Sequence, residues 1–304
     1  MRIVVCGAGA VGGYYGGKLA LAGHETFFIV REKSLEHFHR NGLTVMSFDG
    51  DFTIMPPVGA TSEGFGVADL VIVAVKAPHL DDALPLFSSS MGPKTKIVSL
   101  MNGIDSEEII AARYGADAVI GGIAFIGATN DGPGLVTHNS YGRAAVGPWT
   151  PASADAARIL KEAFDAAGVK CKLSSDIRFD LWTKLLWNVG FNAVCALADA
   201  PTSQTTGYGP TRELSRVAMR ELVAVAQAMG IMLTEEMVEK NIETTSTGGE
   251  VYPSMLQDMR AGRLMEVDLF NGRVSSLGKE LGIPTPVNDT LAALTGIRNQ
   301  SRSL

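Results

Sequence analysis

A glycine-rich loop between a strand and a helix, near the N-terminus, is the strongest constraint on the fold of this chain. The loop reads GAGAVG, with Gly7, Gly9 and Gly12 at GxGxxG spacing. It follows an apolar, β-branched strand at Arg2–Cys6 and precedes a helical segment at residues 14–22. In such a unit the glycines allow a tight turn, close approach of the backbone to a pyrophosphate, and packing of the helix on the strand. The sequence therefore predicts a Rossmann-like α/β domain whose dinucleotide contacts the loop residues Gly7, Ala8, Gly9, Ala10, Val11 and Gly12.

The end of the second predicted strand indicates which dinucleotide binds. Arg31 and Glu32 follow this strand, residues 26–30, about twenty residues beyond the glycine loop, where the ribose 2′ position is read. A carboxylate there binds the 2′-hydroxyl of NAD, whereas an arginine binds the 2′-phosphate of NADP. We favour Arg31 and therefore NADPH, with Lys33 adding positive charge. The alternative is that Arg31 and Glu32 are two solvated surface charges.

Two further strands end in polar residues that are suited to a ligand site. Lys76 follows the apolar run at residues 70–75, and Asn102 follows the run at residues 96–101. Ligands of open α/β sheets bind beyond the carboxyl ends of the strands, so both side chains are candidates for contact with the cofactor. The alternatives are an exposed loop lysine for Lys76 and the turn preference of Asn-Gly for Asn102.

Composition excludes several other classes of protein. The 304 residues are 46% apolar and 19% charged, which is typical of a globular chain of about two domains. A net charge of -6 and the lack of a basic cluster argue against a nucleic-acid partner. We find no signal peptide and no membrane span, and we therefore expect a cytoplasmic protein without a membrane partner. The 3 cysteines lie far apart, so neither a disulfide framework nor a metal site is predicted.

The middle of the chain marks a change from a mixed α/β pattern to helices alone. Residues 119–149 read as a hairpin that closes the sheet at one edge, followed by a helix at 155–167 and a last strand at 169–173. We therefore predict a Rossmann-like domain at residues 1–174 and an all-helical domain at residues 175–304. The predicted helices of the second domain are residues 177–197, 211–229, 234–242, 254–261, 264–281 and 287–299.

The first of these helices carries a row of polar side chains inside an apolar sequence. Lys184, Asn188 and Asn192 recur at i, i+4 and i+8, so they lie along one face of the helix. Because buried polar groups need partners, three of them on one face indicate a polar pocket. The alternative is that Lys184 extends to solvent and the amides cap neighbouring loops.

Several segments together resemble the ketopantoate reductase family of NADPH-dependent 2-dehydropantoate 2-reductases. These segments are GAGAVG, Arg31, VKAP at Lys76, MNG at Asn102, DIRFDLWTKLLWNVGFNA and PSMLQDMRAGRLMEVDLFNG, and the resemblance covers essentially the whole chain. It implies reduction of 2-dehydropantoate to pantoate in pantothenate biosynthesis. It also implies that Lys184 is the catalytic lysine and general acid, that Asn188 and Asn192 position the substrate, and that Lys76 and Asn102 lie beside the nicotinamide.

The resemblance assigns two residues in the last third of the chain. Ser254 matches the serine that holds the substrate carboxylate, and Glu266 matches an acid near both the substrate hydroxyl and the cofactor. Without the resemblance, Ser254 begins a capping box with Gln257, and Glu266 forms an ion pair with Arg263 or Arg273.

Two positions differ from the family pattern and leave the substrate open. Val251 and Thr202 stand where a polar side chain and a substrate-side asparagine are usual. We therefore also consider a reductase or dehydrogenase of the same family that acts on another 2-oxo acid, and a non-catalytic dinucleotide sensor. A homodimer through the apolar helical domain is a further expectation.

Overall fold

The computed structural model describes residues 1–301. Its contacts divide the chain into two compact units, Met1–Arg178 and Phe179–Leu304. The predicted domain boundary after residue 174 lies just before that division and stays a prediction.

The first unit is built on one ten-stranded sheet. The order across the sheet is β4-β3-β9-β8-β7-β6-β1-β2-β5, and β10 also pairs with β9. Strands β8 and β9 are antiparallel, as are β3 and β4, and the other pairs are parallel. The strands are β1 (Arg2–Cys6), β2 (Glu25–Ile29), β3 (Leu43–Ser47), β4 (Phe52–Ile54), β5 (Val58–Gly59), β6 (Leu70–Val73), β7 (Lys96–Ser99), β8 (Val119–Gly132), β9 (Leu135–Pro148) and β10 (Cys171–Leu173).

The strand order reverses at β1, which places a ligand crevice beside the glycine loop. The chain passes from β1 to its neighbour β2 on one side, and it later returns to β6 on the other side of β1. Open parallel sheets bind ligands at such a reversal, at the carboxyl ends of the strands. The loop at residues 7–12 follows the carboxyl end of β1 directly.

Helices cover the sheet in the first unit and make up the second. Those that begin in the first unit are α1 (Ala10–Leu21), α2 (Leu35–Asn41), α3 (Leu80–Ala83), α4 (Ser106–Tyr114), α5 (Ala154–Ala166) and α6 (Ile177–Ala198), and most of α6 belongs to the second unit. The others are α7 (Thr202–Gly207), α8 (Gly209–Ala228), α9 (Glu235–Thr247), α10 (Ser254–Arg260), α11 (Asn271–Leu281) and α12 (Pro286–Gln300). The predicted fold class, a Rossmann-like domain followed by a helical one, is confirmed.

The expectation that the hairpin closes the sheet at an edge is wrong. Strand β9 of the hairpin pairs with β3 and β10 as well as with β8, so the edge strands are β4, β5 and the short β10. Strands β3 and β4 were not predicted, although a turn at Asp49-Gly50 separates them, and Asp-Gly is a common hairpin turn. The pairing of β3 with β9 is a long-range contact that local periodicity does not show.

The predicted helix at residues 264–281 begins later than expected, at Asn271. The side chain of Asn299 holds the preceding segment outside a helix, since its Oδ1 accepts from the N–H of Met265 at 3.0 Å and its Nδ2 donates to the Met265 carbonyl at 2.9 Å. The carbonyl is the group that a helix beginning at residue 264 would use, because N–H groups of the first turn have no acceptor within a helix. In the opposite direction, α1 begins at Ala10 rather than at residue 14, and the short helix α7 was not predicted.

Helix α6 is buried around most of its circumference, as its apolar sequence predicts. Side chains such as Leu186, Val189 and Phe191 are fully inaccessible to solvent. Across residues 1–301, every helix is too short or too polar to span a membrane. All three cysteines are buried and free, and residues 1–301 contain no cluster of three His, Cys, Asp or Glu side chains able to hold a metal ion.

Candidate active site

The glycine loop is shaped by two positions that accept no side chain. Gly7 has φ +102°, and a Cβ there would lie 2.6 Å from the carbonyl oxygen of Ala74. A Cβ on Gly12 would lie 1.9 Å from the carbonyl oxygen of Gly7. Helix α1 therefore packs against the loop at van der Waals distance, and only glycine permits this approach.

The third glycine of the motif faces open space, which fits a dinucleotide. A Cβ on Gly9 would meet no atom within 4 Å. Gly9 is also the N-cap of α1, and the N–H groups of the first turn after it have no acceptor within the helix. An anion above Gly9 would meet these donors and the positive end of the helix dipole. The loop thus has both the space and the donors for a pyrophosphate.

Arg31 lies at the edge of the sheet where the adenosine ribose of such a ligand is expected. It follows β2, which is paired with β1 through Ile29 and Cys6, so Arg31 and the glycine loop share the carboxyl edge of neighbouring strands. Its carbonyl accepts from the N–H of Ser34 at 2.7 Å, which fixes the backbone. The guanidinium is exposed, and among residues 1–301 it forms no hydrogen bond or ion pair with the protein.

Lys76 and Asn102 lie at the same edge of the sheet, as predicted from the strand ends. Lys76 follows β6 and is exposed, and Asn102 follows β7 and is half-buried. Since β6 and β7 are adjacent and parallel, both residues lie beyond their carboxyl ends.

A buried acid next to the Asn102 loop was missed by the sequence reasoning. The hydroxyls of Ser99 and Ser106 lie 2.8 Å apart and so join the two ends of this loop. Ser106 also donates to the Glu107 carboxylate at 2.9 Å, and the N–H of Gly122 donates to its other oxygen at 3.5 Å. Glu107 is 1% exposed, and burial raises its pKa to about 7. The only sequence signal was an acid in the first turn of α4.

The raised pKa of Glu107 predicts a pH-dependent stability. Between the unfolded pKa of 4.5 and the folded pKa of about 7, the folded state holds a proton that the unfolded state has released. Stability is therefore largest below the unfolded pKa and falls as pH rises to about 7. Glu107→Gln does not titrate, so we expect its free energy of unfolding, relative to wild type, to rise by about 2–3 kcal/mol between about pH 5 and pH 8. Urea unfolding at both pH values measures the free energy of unfolding of each protein. A difference between Glu107→Gln and wild type that is the same at both pH values would contradict the prediction.

Two of the three polar side chains in the α6 row are hydrogen-bonded to each other in the second unit. Asn188 is 7% exposed and Asn192 is 0% exposed. Asn192 Nδ2 donates to Asn188 Oδ1 at 3.0 Å, and Lys184 lies half-buried one turn before Asn188. The predicted alignment of the three side chains on one helix face follows from the unbroken helix at Ile177–Ala198.

Ser254 contacts this row, but not through the predicted capping box. It is the first residue of α10 rather than its N-cap, which is Pro253, and its hydroxyl lies 3.3 Å from Asn192 Oδ1, to which it donates. Gln257 donates instead to the carbonyl of Tyr252. The capping-box expectation is therefore wrong, and the structure brings Ser254 into contact with Asn192 of α6.

Glu266 lies just before α11 and is half-buried. It lies outside the helices, as the residue that caps a short 3-10 turn at Val267–Leu269. Of the two arginines considered as its partners, Arg263 pairs with Asp258 at 2.7 Å and Arg273 lies 3.8 Å from Glu280.

The two residues that differ from the family pattern bind each other. Thr202 is fully buried, its N–H donates to the carbonyl of Val251 at 2.9 Å, and its hydroxyl accepts from the N–H of Val251 at 3.2 Å. The Thr202 hydroxyl is thus occupied by the backbone of the segment that leads into Ser254. Sequence reasoning identified both positions but not their contact.

Comparisons with known proteins show the family to which the chain belongs. The family model for ketopantoate reductase PanE/ApbA matches residues 3–151, and the model for the C-terminal part of the same family matches residues 176–299. A 2-dehydropantoate 2-reductase of Mesorhizobium japonicum is 32% identical, over 97% of this chain and 96% of the relative.

Solved structures show the same fold over the full length. The crystal structure of 2-dehydropantoate 2-reductase from Geobacter metallireducens GS-15 superposes with a TM-score of 0.89 at 34% identity, covering 98% of this chain and 99% of that one. A ternary structure of D-mandelate dehydrogenase with NADH and anilino(oxo)acetate has a TM-score of 0.91 at 26% identity and covers 100% of both chains.

The glycine loop at the reversal of a parallel sheet, the helical second unit and these relatives define the class. It is an oxidoreductase that acts on CH–OH groups with a nicotinamide dinucleotide. Within that class, the chain belongs to the ketopantoate reductase PanE/ApbA family.

Proposed function

We propose that this protein is a 2-dehydropantoate 2-reductase that reduces the ketone of a 2-oxo acid with NADPH. The observation that carries the proposal is the α6 row, in which two buried amides and a half-buried lysine lie on one face next to Ser254. A polar row of this kind inside an apolar helix provides hydrogen-bond donors for an anionic oxo acid.

Each of the site residues has a chemical role in this reaction. When bound, NADPH supplies the hydride that adds to the ketone carbon. The ammonium of Lys184 donates a hydrogen bond to the ketone oxygen, stabilises the developing negative charge and transfers a proton to it, which yields the 2-hydroxy acid. Asn188 donates to the substrate carboxylate, and the Ser254 hydroxyl turns from Asn192 Oδ1 to donate to the same carboxylate when the substrate binds. Glu266 lies near the new hydroxyl.

The cofactor is held by the first unit. The N–H groups that follow Gly9 bind the pyrophosphate, and Arg31 binds the 2′-phosphate. Lys76 and Asn102 contact the nicotinamide half. The preference for NADPH is supported by the exposed Arg31 guanidinium, which has no protein partner among the described residues.

A second candidate function is the reduction of a 2-oxo acid other than 2-dehydropantoate. The contact between Thr202 and Val251 favours it, because Thr202 is fully buried against the Val251 backbone and Val251 adds an apolar side chain. Thr202 and Val251 therefore provide few hydrogen-bonding groups for the hydroxyl of a substrate such as 2-dehydropantoate. The similarity to a D-mandelate dehydrogenase is consistent with such a substrate.

Initial rates with a set of 2-oxo acids test both functions. We expect turnover of 2-dehydropantoate with NADPH and a lower kcat/KM with NADH. The informative comparison is 2-oxoisovalerate, which lacks only the hydroxymethyl group of 2-dehydropantoate. A site that binds this hydroxyl loses about a hundredfold or more in kcat/KM without it. Equal or higher kcat/KM for 2-oxoisovalerate or phenylglyoxylate would favour the second function, and no turnover of any 2-oxo acid would contradict both.

A further inference from the structure

The orientation of the Asn192 side-chain amide is fixed by a backbone donor. The N–H of Met255 can only donate, so the Asn192 atom 3.1 Å from it is the oxygen Oδ1. The hydroxyl of Ser254 donates to the same oxygen at 3.3 Å. Asn192 Nδ2 therefore points the other way, toward Asn188, and the whole side chain is inaccessible to solvent.

This orientation determines that of Asn188. Asn192 Nδ2 lies 3.0 Å from Asn188 and must meet an acceptor, which is Asn188 Oδ1. The Nδ2 group of Asn188 is then directed away from Asn192. Within the part of the chain that the structure describes, the side chain of Asn188 forms no second hydrogen bond, although only 7% of the residue is exposed. Asn188 therefore keeps the N–H donors of Nδ2 for a ligand that supplies an acceptor.

We propose that Asn192 is a positioning residue, and that its amide orients Asn188 so that Asn188 presents only N–H donors to the carboxylate of the 2-oxo acid. The inference rests on the function proposed above and assigns Asn192 a different role from that of a direct substrate ligand. Asn192 Oδ1 already accepts two hydrogen bonds, and its Nδ2 is committed to Asn188. The carboxylate of a 2-oxo acid offers acceptors alone, so Asn188 binds that carboxylate only in this orientation.

Asn192→Asp tests the orientation with little change in shape. When ionised, its carboxylate still accepts from Met255 and Ser254, but its other oxygen cannot donate to Asn188. Because burial raises the pKa of such a carboxyl, the kinetics are compared at several pH values up to about pH 9. Asn188 then turns over to donate to that oxygen, and its own Oδ1 faces the substrate. We expect kcat/KM for the accepted 2-oxo acid to fall about a hundredfold, mainly through KM. The NADPH dissociation constant should change little, whereas the thermal unfolding temperature should fall, because the variant buries a carboxylate.

A double-mutant cycle separates orientation from simple charge repulsion. Repulsion between the new carboxylate and the substrate acts whether or not Asn188 is present. The effect through Asn188 disappears in an Asn188→Ala background. We expect Asn192→Asp to cost at least tenfold less in that background than in wild type. Equal costs in the two backgrounds would overturn the proposal and leave the reductase function intact.

Binding of oxamate gives a readout that does not need turnover. Calorimetric titration of the NADP⁺-loaded protein with this unreactive 2-oxo acid analogue should show binding to wild type. Asn192→Asp should weaken oxamate binding strongly in the wild-type background and at least tenfold less in the Asn188→Ala background. Wild-type protein that neither reduces a 2-oxo acid nor binds oxamate would overturn the proposed function and this inference together.

Discussion

Replacing Lys184 with alanine is expected to lower kcat by about a hundredfold or more while leaving NADPH affinity nearly unchanged. The ammonium is the proposed proton donor, and it lies one turn from the Asn188–Asn192 pair on the same face of α6. Without it, the alkoxide that forms on hydride transfer has neither a positive charge nor a proton source beside it.

Two further variants separate charge from proton transfer. Lys184→Arg keeps the positive charge, but a guanidinium does not release a proton near neutral pH. Relative to Lys184→Ala, we therefore expect Lys184→Arg to restore substrate binding more than kcat. Lys279→Ala removes an exposed lysine of α11 in the same unit and should leave both parameters unchanged. Steady-state and single-turnover kinetics measure these effects. Wild-type turnover in Lys184→Ala would remove this lysine from the mechanism.

Replacing Arg31 with alanine is expected to weaken NADPH binding by about ten- to a hundredfold and NADH binding by much less. A guanidinium that binds a phosphate contributes about 1.5–3 kcal/mol, and NADH has no 2′-phosphate to lose. Arg31 is exposed, and its backbone is held by Ser34, so the substitution removes a ligand group without disturbing packing.

Glu32→Ala is the matched control for the choice of cofactor. If Arg31 reads the phosphate, removal of the adjacent carboxylate leaves NADPH binding unchanged or slightly tighter. If Glu32 instead binds the ribose hydroxyl of NAD, the same variant weakens NADH. Dissociation constants from nicotinamide fluorescence distinguish the two, and equal losses of both cofactors in Arg31→Ala would show that the 2′ site has been assigned to the wrong residue.

Local patterns were sufficient for most elements of the fold. Strand β1 has the predicted bounds, and the strand ends at Arg31, Lys76 and Asn102 lie at one edge of the sheet as expected. The spacing of strands and helices also gave the fold class. The residue roles and the homodimer stay predictions, because they depend on bound molecules and a partner chain.

Errors arose where a distant side chain decides local structure. Residues 264–270 have a helical pattern, but Asn299 binds the Met265 carbonyl, which a helix would use, and the Met265 N–H. Strand β3 is short and joins the sheet through β9, whose residues lie far along the chain. Neither contact has a periodic signal.

The sequence by itself determined the glycine loop and the row of Lys184, Asn188 and Asn192, because helix geometry alone brings residues at i and i+4 to one face. Only the tertiary structure decided which hydrogen-bond partner fixes the orientation of each side-chain amide. Asn192 meets Met255 across 63 positions of the chain, and Thr202 meets Val251 across 49. The direction of a hydrogen bond depends on the donor or acceptor that folding brings to it, and such contacts carry no sequence period.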